Sequence, residues 1–142
     1  MQYQLPERSY GPKYQANMDI KDIAKEVRKA IKMDGFQFSV KIKRYSGGQS
    51  LYVGIKVVPD DFPMAVLEER FDEYQPRWVY SPELKALIDS IKDVVDSFNY
   101  NGSDVMVDYF DVNFYSFVDL EYDSLAYMKF YDDQEEKVFN FQ

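Results

Sequence analysis

The stretch that decides the fold runs from Phe36 to Val58 and reads FQFSVKIKRYSGGQSLYVGIKVV. Apolar and polar residues alternate over 36–43 and again over 51–57. Because successive side chains of a strand point to opposite faces, this alternation predicts two strands that each bury one face. Gly47 and Gly48 supply the positive φ angles that a tight reversal needs. The sequence therefore predicts a β-hairpin whose apolar face must be covered by other elements.

Two amphipathic helices are expected to cover that face. The first is capped by Asn17 or Asp19 and runs to about Met33. The second begins with Ser81-Pro82-Glu83, which combines a capping serine, a proline at the first helical position and an acid in the first turn, and it ends near Asn99. Each helix has one apolar stripe at helical spacing: Ile20, Ile23, Ala24, Val27, Ala30 and Ile31 in the first, and Leu84, Leu87, Ile88, Ile91, Val94, Val95 and Phe98 in the second.

The remaining elements are predicted from shorter patterns. Met64–Phe71 is compatible with a short helix, and 72–80 with an irregular connection. Val112–Leu120 alternates and predicts a third strand with aromatic residues on both faces. Leu125–Tyr131 is expected to form a fourth strand after a turn at 122–124.

This order of elements predicts an α+β fold, in which a mostly antiparallel sheet of three to four strands carries two main helices on one face. Residues 1–17 are expected to form an extended N-terminal arm. Residues 18–131 form a single domain in this interpretation, and residues 132–142 an acidic C-terminal tail.

The composition excludes several classes of active site. The 142 residues contain neither Cys nor His. Disulfides, thiolate nucleophiles, Cys-based zinc sites and every Ser-His or Cys-His pairing are therefore excluded. The dense carboxylates between 104 and 123 could flank a glycosidic bond or hold Mg²⁺, but they lack the Asp-x-Asp-x-Asp-Gly order of a calcium loop. We expect no enzyme activity, no metal site and no cofactor.

The net charge of −8 is unevenly distributed along the chain. Residues 1–58 contain 11 Lys and Arg against 5 Asp and Glu, whereas residues 59–142 contain 6 against 20. A negative protein is a poor non-specific ligand for nucleic acid, because phosphate contacts need cations. An acidic surface instead accelerates encounter with basic partners.

The preferred hypothesis is a non-enzymatic protein-binding domain with an acidic, tyrosine-rich face. Carboxylates along a rigid surface can imitate a phosphate backbone, and tyrosines supply contact area at interfaces. The expected partner is a basic protein surface. The candidate residues are Asp104, Asp108, Tyr109, Asp111, Tyr115, Asp119, Glu121, Tyr122, Asp123, Asp132, Asp133, Glu135 and Glu136.

An alternative hypothesis places accessory nucleic-acid binding on the hairpin. Cations and aromatic rings on one sheet face can track phosphates and stack bases. The candidates are Lys41, Lys43, Arg44, Tyr45, Tyr52 and Lys56. A structural accessory domain without a specific partner is the third hypothesis. The oligomeric state is not predicted.

No apolar run approaches the roughly 18 residues of a membrane span, and the first residues lack the charged and apolar pattern of a signal peptide. The sequence therefore predicts a soluble, cytoplasmic protein without membrane contact.

Three segments together resemble a family of small domains of phages and conjugative elements, the "large polyvalent protein-associated" domains. They are the helix DIKDIAKEVRK at Asp19–Lys29, the hairpin at Phe38–Val53, and the string DYFDVNFY at Asp108–Tyr115. The resemblance implies an accessory protein of a mobile element and brings no catalytic residues with it. The resemblance also implies an anti-defence role as an expectation, because small acidic phage proteins that inhibit host nucleases, anti-CRISPR proteins among them, are common in that context.

Overall fold

The computed structural model describes residues 4–69 and 76–140, and these fold as an α+β domain. The α+β class predicted from the sequence is thus confirmed. In the described residues the strands are β1 (Ser9–Tyr10), β2 (Gln37–Tyr45), β3 (Gly48–Val57), β4 (Ala65–Glu68), β5 (Arg77–Tyr80), β6 (Tyr100–Asn101) and β7 (Tyr115–Leu120). The helices are α1 (Ile20–Ala30), α2 (Pro82–Asp96) and α3 (Leu125–Asn140), with a short 3₁₀ turn at Val105–Val107.

The central sheet has the strand order β2-β3-β7. β2 and β3 form the predicted antiparallel hairpin, and Gly47 adopts the positive φ of 87° at its turn. β7 pairs with β3 in parallel, from Ser50 opposite Tyr115 to Ile55 opposite Leu120. A mostly antiparallel sheet was expected, so this parallel pairing is a correction. It arises because the chain crosses over through α2 before it returns to the sheet.

The core lies between one face of this sheet and the helices. α1 packs on β2 and α2 packs on β7. The predicted apolar stripes account for most of the buried residues of both helices. Ser81 caps α2 as predicted, because its Oγ accepts a hydrogen bond of 3.0 Å from the backbone N–H of Leu84.

The helix predicted at Met64–Phe71 is wrong for its described part. Ala65–Glu68 instead pairs with Arg77–Tyr80 as an antiparallel hairpin. Residues 70–75 lie outside the described part of the chain. Met64 and Ala65 are fully buried, so tertiary burial and pairing override the helix propensity of the short segment.

The fourth strand predicted at Leu125–Tyr131 is also wrong, because these residues form the first half of α3. Ser124 explains the difference. Its Oγ accepts a hydrogen bond of 3.1 Å from the N–H of Tyr127, and its carbonyl accepts one of 2.9 Å from Met128. This is the geometry of a helix N-cap. The acidic segment that follows continues α3 through Asn140.

The N-terminal segment is packed on the domain by backbone hydrogen bonds. β1 pairs with β6. The N–H of Gly11 donates to the carbonyl of Asn99, and that of Lys13 to Ser97, both over 2.8 Å. The segment thereby satisfies carbonyl groups at and just beyond the C-terminal end of α2, which a helix alone leaves unpaired.

Candidate functional site

Between β6 and β7 the chain makes a hydrogen-bonded excursion that projects from the sheet. Asn101 and Val112 are bridged in antiparallel fashion at its base. Farther out, Asp104 and Tyr109 exchange two backbone hydrogen bonds of 2.7 and 2.9 Å. The Oδ1 of Asp104 accepts a third hydrogen bond from Met106 N–H. The excursion is therefore a closed turn with a defined conformation.

The end of this excursion presents apolar side chains to solvent. Met106 is 89% exposed and Val105 is 71% exposed. Val107 and Phe110 are also exposed. We call these four side chains the apolar tip. An exposed cluster of this kind indicates an interaction site more often than an isolated exposed residue does.

Arg8 fixes the base of the excursion from the N-terminal segment. Its Nε and Nη2 donate to the two carboxylate oxygens of Asp111 over 2.7 and 3.1 Å. The Arg8 guanidinium also lies 4.1 Å from the centre of the Tyr100 ring. The Asp111 carboxylate, together with the Tyr10 side chain, raises the pKa of Arg8.

The candidates before β7 lie on this excursion. Asp104, Tyr109 and Asp111 are largely occupied in holding it together. Asp108 adopts a left-handed conformation with φ of 54° and is exposed. Among the described residues Asp108 makes no ion pair, so its carboxylate faces solvent next to the apolar tip.

The candidates in β7 and just after it form a second group. Asp119 accepts a 2.6 Å hydrogen bond from the Tyr80 hydroxyl, and burial followed by this carboxylate raises the pKa of Tyr80. Glu121 accepts from Lys41 and from Ser39, and these contacts lower the pKa of Glu121. Tyr122 and Asp123 are exposed at the turn into α3.

The candidates on α3 are also divided. Asp133 accepts from Lys129 over 3.1 Å and from the Met64 backbone N–H over 2.9 Å, so it has a structural role. Asp132 and Glu135 are exposed. The side chain of Glu136 lies outside the described part of the chain. Several of the predicted carboxylates are therefore engaged within the fold, and β7, about 17 Å long, lies between those of the excursion and those at the turn into α3.

Two cations of the alternative nucleic-acid site are paired with carboxylates. Lys41 contacts Glu121, and Arg44 contacts Asp19 over 2.8 Å. The Tyr45 hydroxyl hydrogen-bonds Ser50 over 2.9 Å. Lys43 and Lys56 are exposed. Pairing reduces the net positive charge that this face could offer to phosphates.

The outer face of the sheet carries aromatic residues from all three strands. Tyr52 and Phe117 are paired in register and their rings stack with centroids 4.9 Å apart. Tyr45 and Tyr115 are exposed nearby in the sheet, one at the end of β2 and one at the start of β7. The parallel pairing thus brings Phe117, which was not a candidate from the sequence, beside the candidate Tyr52.

The apolar tip was the main feature that the sequence reasoning missed. Its signal was present, since Val105-Met106-Val107 lies between the predicted second helix and the predicted third strand, in a stretch for which no element was predicted. Three consecutive apolar residues in a loop have no core to enter, which is itself an indication of an exposed contact.

In residues 4–69 and 76–140 no group of three carboxylates is close enough to share a metal ion. None of the helices in that part of the chain combines the length and the apolar composition that a membrane crossing requires. Comparison with protein-family models, with curated proteins and with solved structures finds no match to this chain.

Proposed function

We propose that this chain is a non-enzymatic protein-binding domain, which inserts the apolar tip into a hydrophobic pocket on a partner protein. The observation that carries the proposal is the exposure of Val105 and Met106, 71% and 89%, on a turn closed by hydrogen bonds. Such a turn loses little conformational freedom on binding, because its shape is already fixed.

The energetics of the tip suit an interaction anchor. Burying one apolar side chain of this size contributes about 1.5–3 kcal/mol. The four side chains are partly covered already, so the tip offers on the order of 5 kcal/mol in total. A micromolar complex needs about 8 kcal/mol after the cost of association. The tip must therefore act together with other contacts, for which the exposed rings of Tyr115 and Phe117, farther along the same segment, are candidates.

Charge defines the chemistry of the partner. The tip is bordered by Asp104 and Asp108, and the whole chain carries a net charge of −8. A pocket with a basic rim would complement it and bind faster at low ionic strength. Together with the family resemblance, this supports a partner that normally binds nucleic acid, such as a host defence protein inhibited by a phage or mobile-element product.

Site-specific photocrosslinking tests the proposal. A photoreactive amino acid replaces Met106 in one variant and Met33 in a control, because Met33 is 45% exposed but lies after α1, away from the tip. Both proteins are irradiated in extract of the host cell at low and moderate salt. We expect one discrete adduct from position 106 and none of the same mass from position 33.

A charge variant sharpens the test. Asp108→Asn removes the carboxylate and keeps a residue type that tolerates the left-handed conformation. We expect the adduct at position 106 to form more slowly in this variant, with a weaker dependence on salt. Equal adducts from positions 106 and 33, or no adduct from position 106, would refute docking through the tip.

A further inference from the structure

Within the part of the chain that the structure describes, one side of β7 has backbone groups that no strand pairs with. The N–H of Glu121 donates to the carbonyl of Ile55. Because backbone groups of successive strand residues point in opposite directions, the N–H and C=O groups of odd-numbered residues of β7 point toward β3, and those of even-numbered residues point away from it. At the ends of the strand, Asn99 hydrogen-bonds both backbone groups of Phe114, and the Asp119 side chain accepts from the N–H of Leu120.

Between these ends, Ser116 and Val118 each direct one backbone N–H and one backbone C=O away from β3. In the described ranges 4–69 and 76–140 no strand pairs with this side of β7. We call these four groups the open edge. The Ser116 side chain instead donates to Asp96 of α2 over 2.9 Å, and so leaves the backbone groups available.

The opposite edge of the same sheet is protected. β2 has a register irregularity between Gln37 and Phe38. Arg28 donates to the carbonyl of Val40 over 2.8 Å, and Lys41 and Lys43 follow in the strand. Bulges and charged side chains are the devices that prevent a sheet edge from pairing with another chain. Residues 115–118 contain neither a bulge nor a charged side chain. The β2 edge of the sheet is therefore protected against pairing with another chain, whereas the β7 edge is not.

A groove lies beside the first part of the open edge, at Ser116. It has a volume of about 640 Å³ and is lined on one side by Tyr115, Ser116 and Phe117. The other side is formed by α2, through residues such as Lys92 and Asp96, and by the β1–β6 pair. The volume is in the range of ligand-binding clefts.

We propose that the open edge accepts an extended, basic segment of a partner protein as a fourth strand. Groups two residues apart on one side of a strand repeat at about 6.6 Å, which only another extended backbone matches at both positions. Two acids, Glu7 and Asp96, and one cation, Lys92, line the groove, so a segment with Lys or Arg is favoured over an acidic one. A second copy of this chain is disfavoured because it also carries −8.

The first experiment selects displayed random ten-residue peptides on the full-length protein and measures individual synthetic peptides by titration. Ser116→Pro removes an edge N–H that the sheet does not use, and proline is tolerated at such edge positions. Ser116→Ala is the matched control, since it removes only the hydroxyl. We expect selected peptides to be rich in Lys or Arg, to bind the proline variant at least tenfold more weakly, and to bind the alanine variant within about twofold.

The peptide backbone supplies a second test that does not depend on the folding of a variant. Two versions of a selected peptide are compared, one with N-methylated amides at its odd positions and one at its even positions. Methylation should abolish binding in the version whose modified amides point toward the open edge, and it should spare binding in the other. Amide hydrogen exchange at Ser116 and Val118 should slow at least tenfold when the peptide binds.

Three outcomes would overturn the inference: absence of any selected peptide, equal binding to the proline and alanine variants, or exchange at Ser116 that the peptide does not slow. Protection of Ser116 in a dimer of this chain would also overturn it, because the occupant would then be a second copy. The inference goes beyond the proposed tip function. Met106→Ser, which removes the apolar side chain without changing the charge, should leave peptide affinity unchanged, so either idea can fail without the other.

Discussion

Replacing Asn99 with aspartate should destabilise the junction that supports both the tip and the open edge. Asn99 is only 8% exposed. Its Nδ2 donates to the carbonyl of Phe114 over 2.8 Å. Its Oδ1 accepts from the N–H groups of Tyr100, Asn113 and Phe114 over 2.9, 3.0 and 3.3 Å. One side chain thus satisfies four backbone groups where β6 and β7 meet.

The expected magnitude follows from which of these bonds survive. A carboxylate keeps the three accepted bonds but places an oxygen against the carbonyl of Phe114, which loses its donor. An unsatisfied buried acceptor costs about 1–3 kcal/mol. Repulsion between the two oxygens adds to this cost, while the three N–H groups favour the negative charge. We expect a net loss of about 2–3 kcal/mol at pH 7.

The pH dependence of stability distinguishes Asn99→Asp from Asn99→Ala. A protonated carboxyl at position 99 can donate to the carbonyl of Phe114, so the folded state favours the protonated form through this bond. A folded pKa raised above the unfolded value gives stability at low pH that is lost as the pH rises through the folded pKa. The deficit of Asn99→Asp relative to the wild type should therefore shrink on acidification. Asn99→Ala cannot recover a donor, so its deficit should stay constant.

The assay is urea denaturation followed by circular dichroism at pH 7 and pH 4, with wild-type, Asn99→Asp and Asn99→Ala proteins. Amide exchange at Asn113 and Phe114 reports whether the loss is local to the junction. If Asn99→Asp lies within about 0.5 kcal/mol of the wild type at pH 7, or if its deficit grows on acidification, the assigned role of the amide is wrong.

Two further predictions concern the packing around the sites. Glu121→Gln should lower stability by about 1 kcal/mol at pH 7, because it weakens the contacts to Lys41 and Ser39. The pKa of Glu121 is lowered in the fold, so this stability is present above its ordinary pKa and is lost on acidification; denaturation curves that keep the same gap at pH 3 and pH 7 would contradict the ion pair. Gly11→Ala would place a Cβ 2.4 Å from the carbonyl oxygen of Ser97, and backbone there cannot move aside cheaply. We expect a loss of about 2–3 kcal/mol and faster exchange of the Lys13 amide; an unchanged melting temperature would show that the N-terminal segment does not hold the end of α2.

The elements that could be predicted from the sequence are those specified by local patterns. The hairpin depends on period-two alternation around Gly47, and α2 depends on the capping signal at Ser81. The parallel pairing of β7 could not be inferred in this way, because it joins residues more than 60 positions apart across a crossover. α3 was not predicted, although Ser124 is a residue type that commonly caps helices. Ser124 and the aromatic residues after it were interpreted as a turn followed by a strand.

The candidate site was less predictable than the fold for a related reason. Whether a carboxylate is free or structural depends on partners that are remote in the chain. Arg8 reaches Asp111, and Lys41 reaches Glu121, across about 100 and 80 residues. A count of acidic residues therefore overestimated the available acidic surface. The apolar tip needed no remote partner and could have been proposed from the sequence.

The two proposed surfaces belong to one continuous segment, and this has a consequence for affinity. The tip ends at Phe110 and the open edge begins at Ser116, which is at most about 20 Å of extended chain. Four backbone hydrogen bonds contribute about 0.5–1.5 kcal/mol each, so the edge, like the tip, is insufficient alone for a micromolar complex. A single partner that engages both would gain by effective concentration, since the second contact forms within an existing complex. Because Asn99 supports both surfaces, its substitution should reduce binding more than a change confined to either surface.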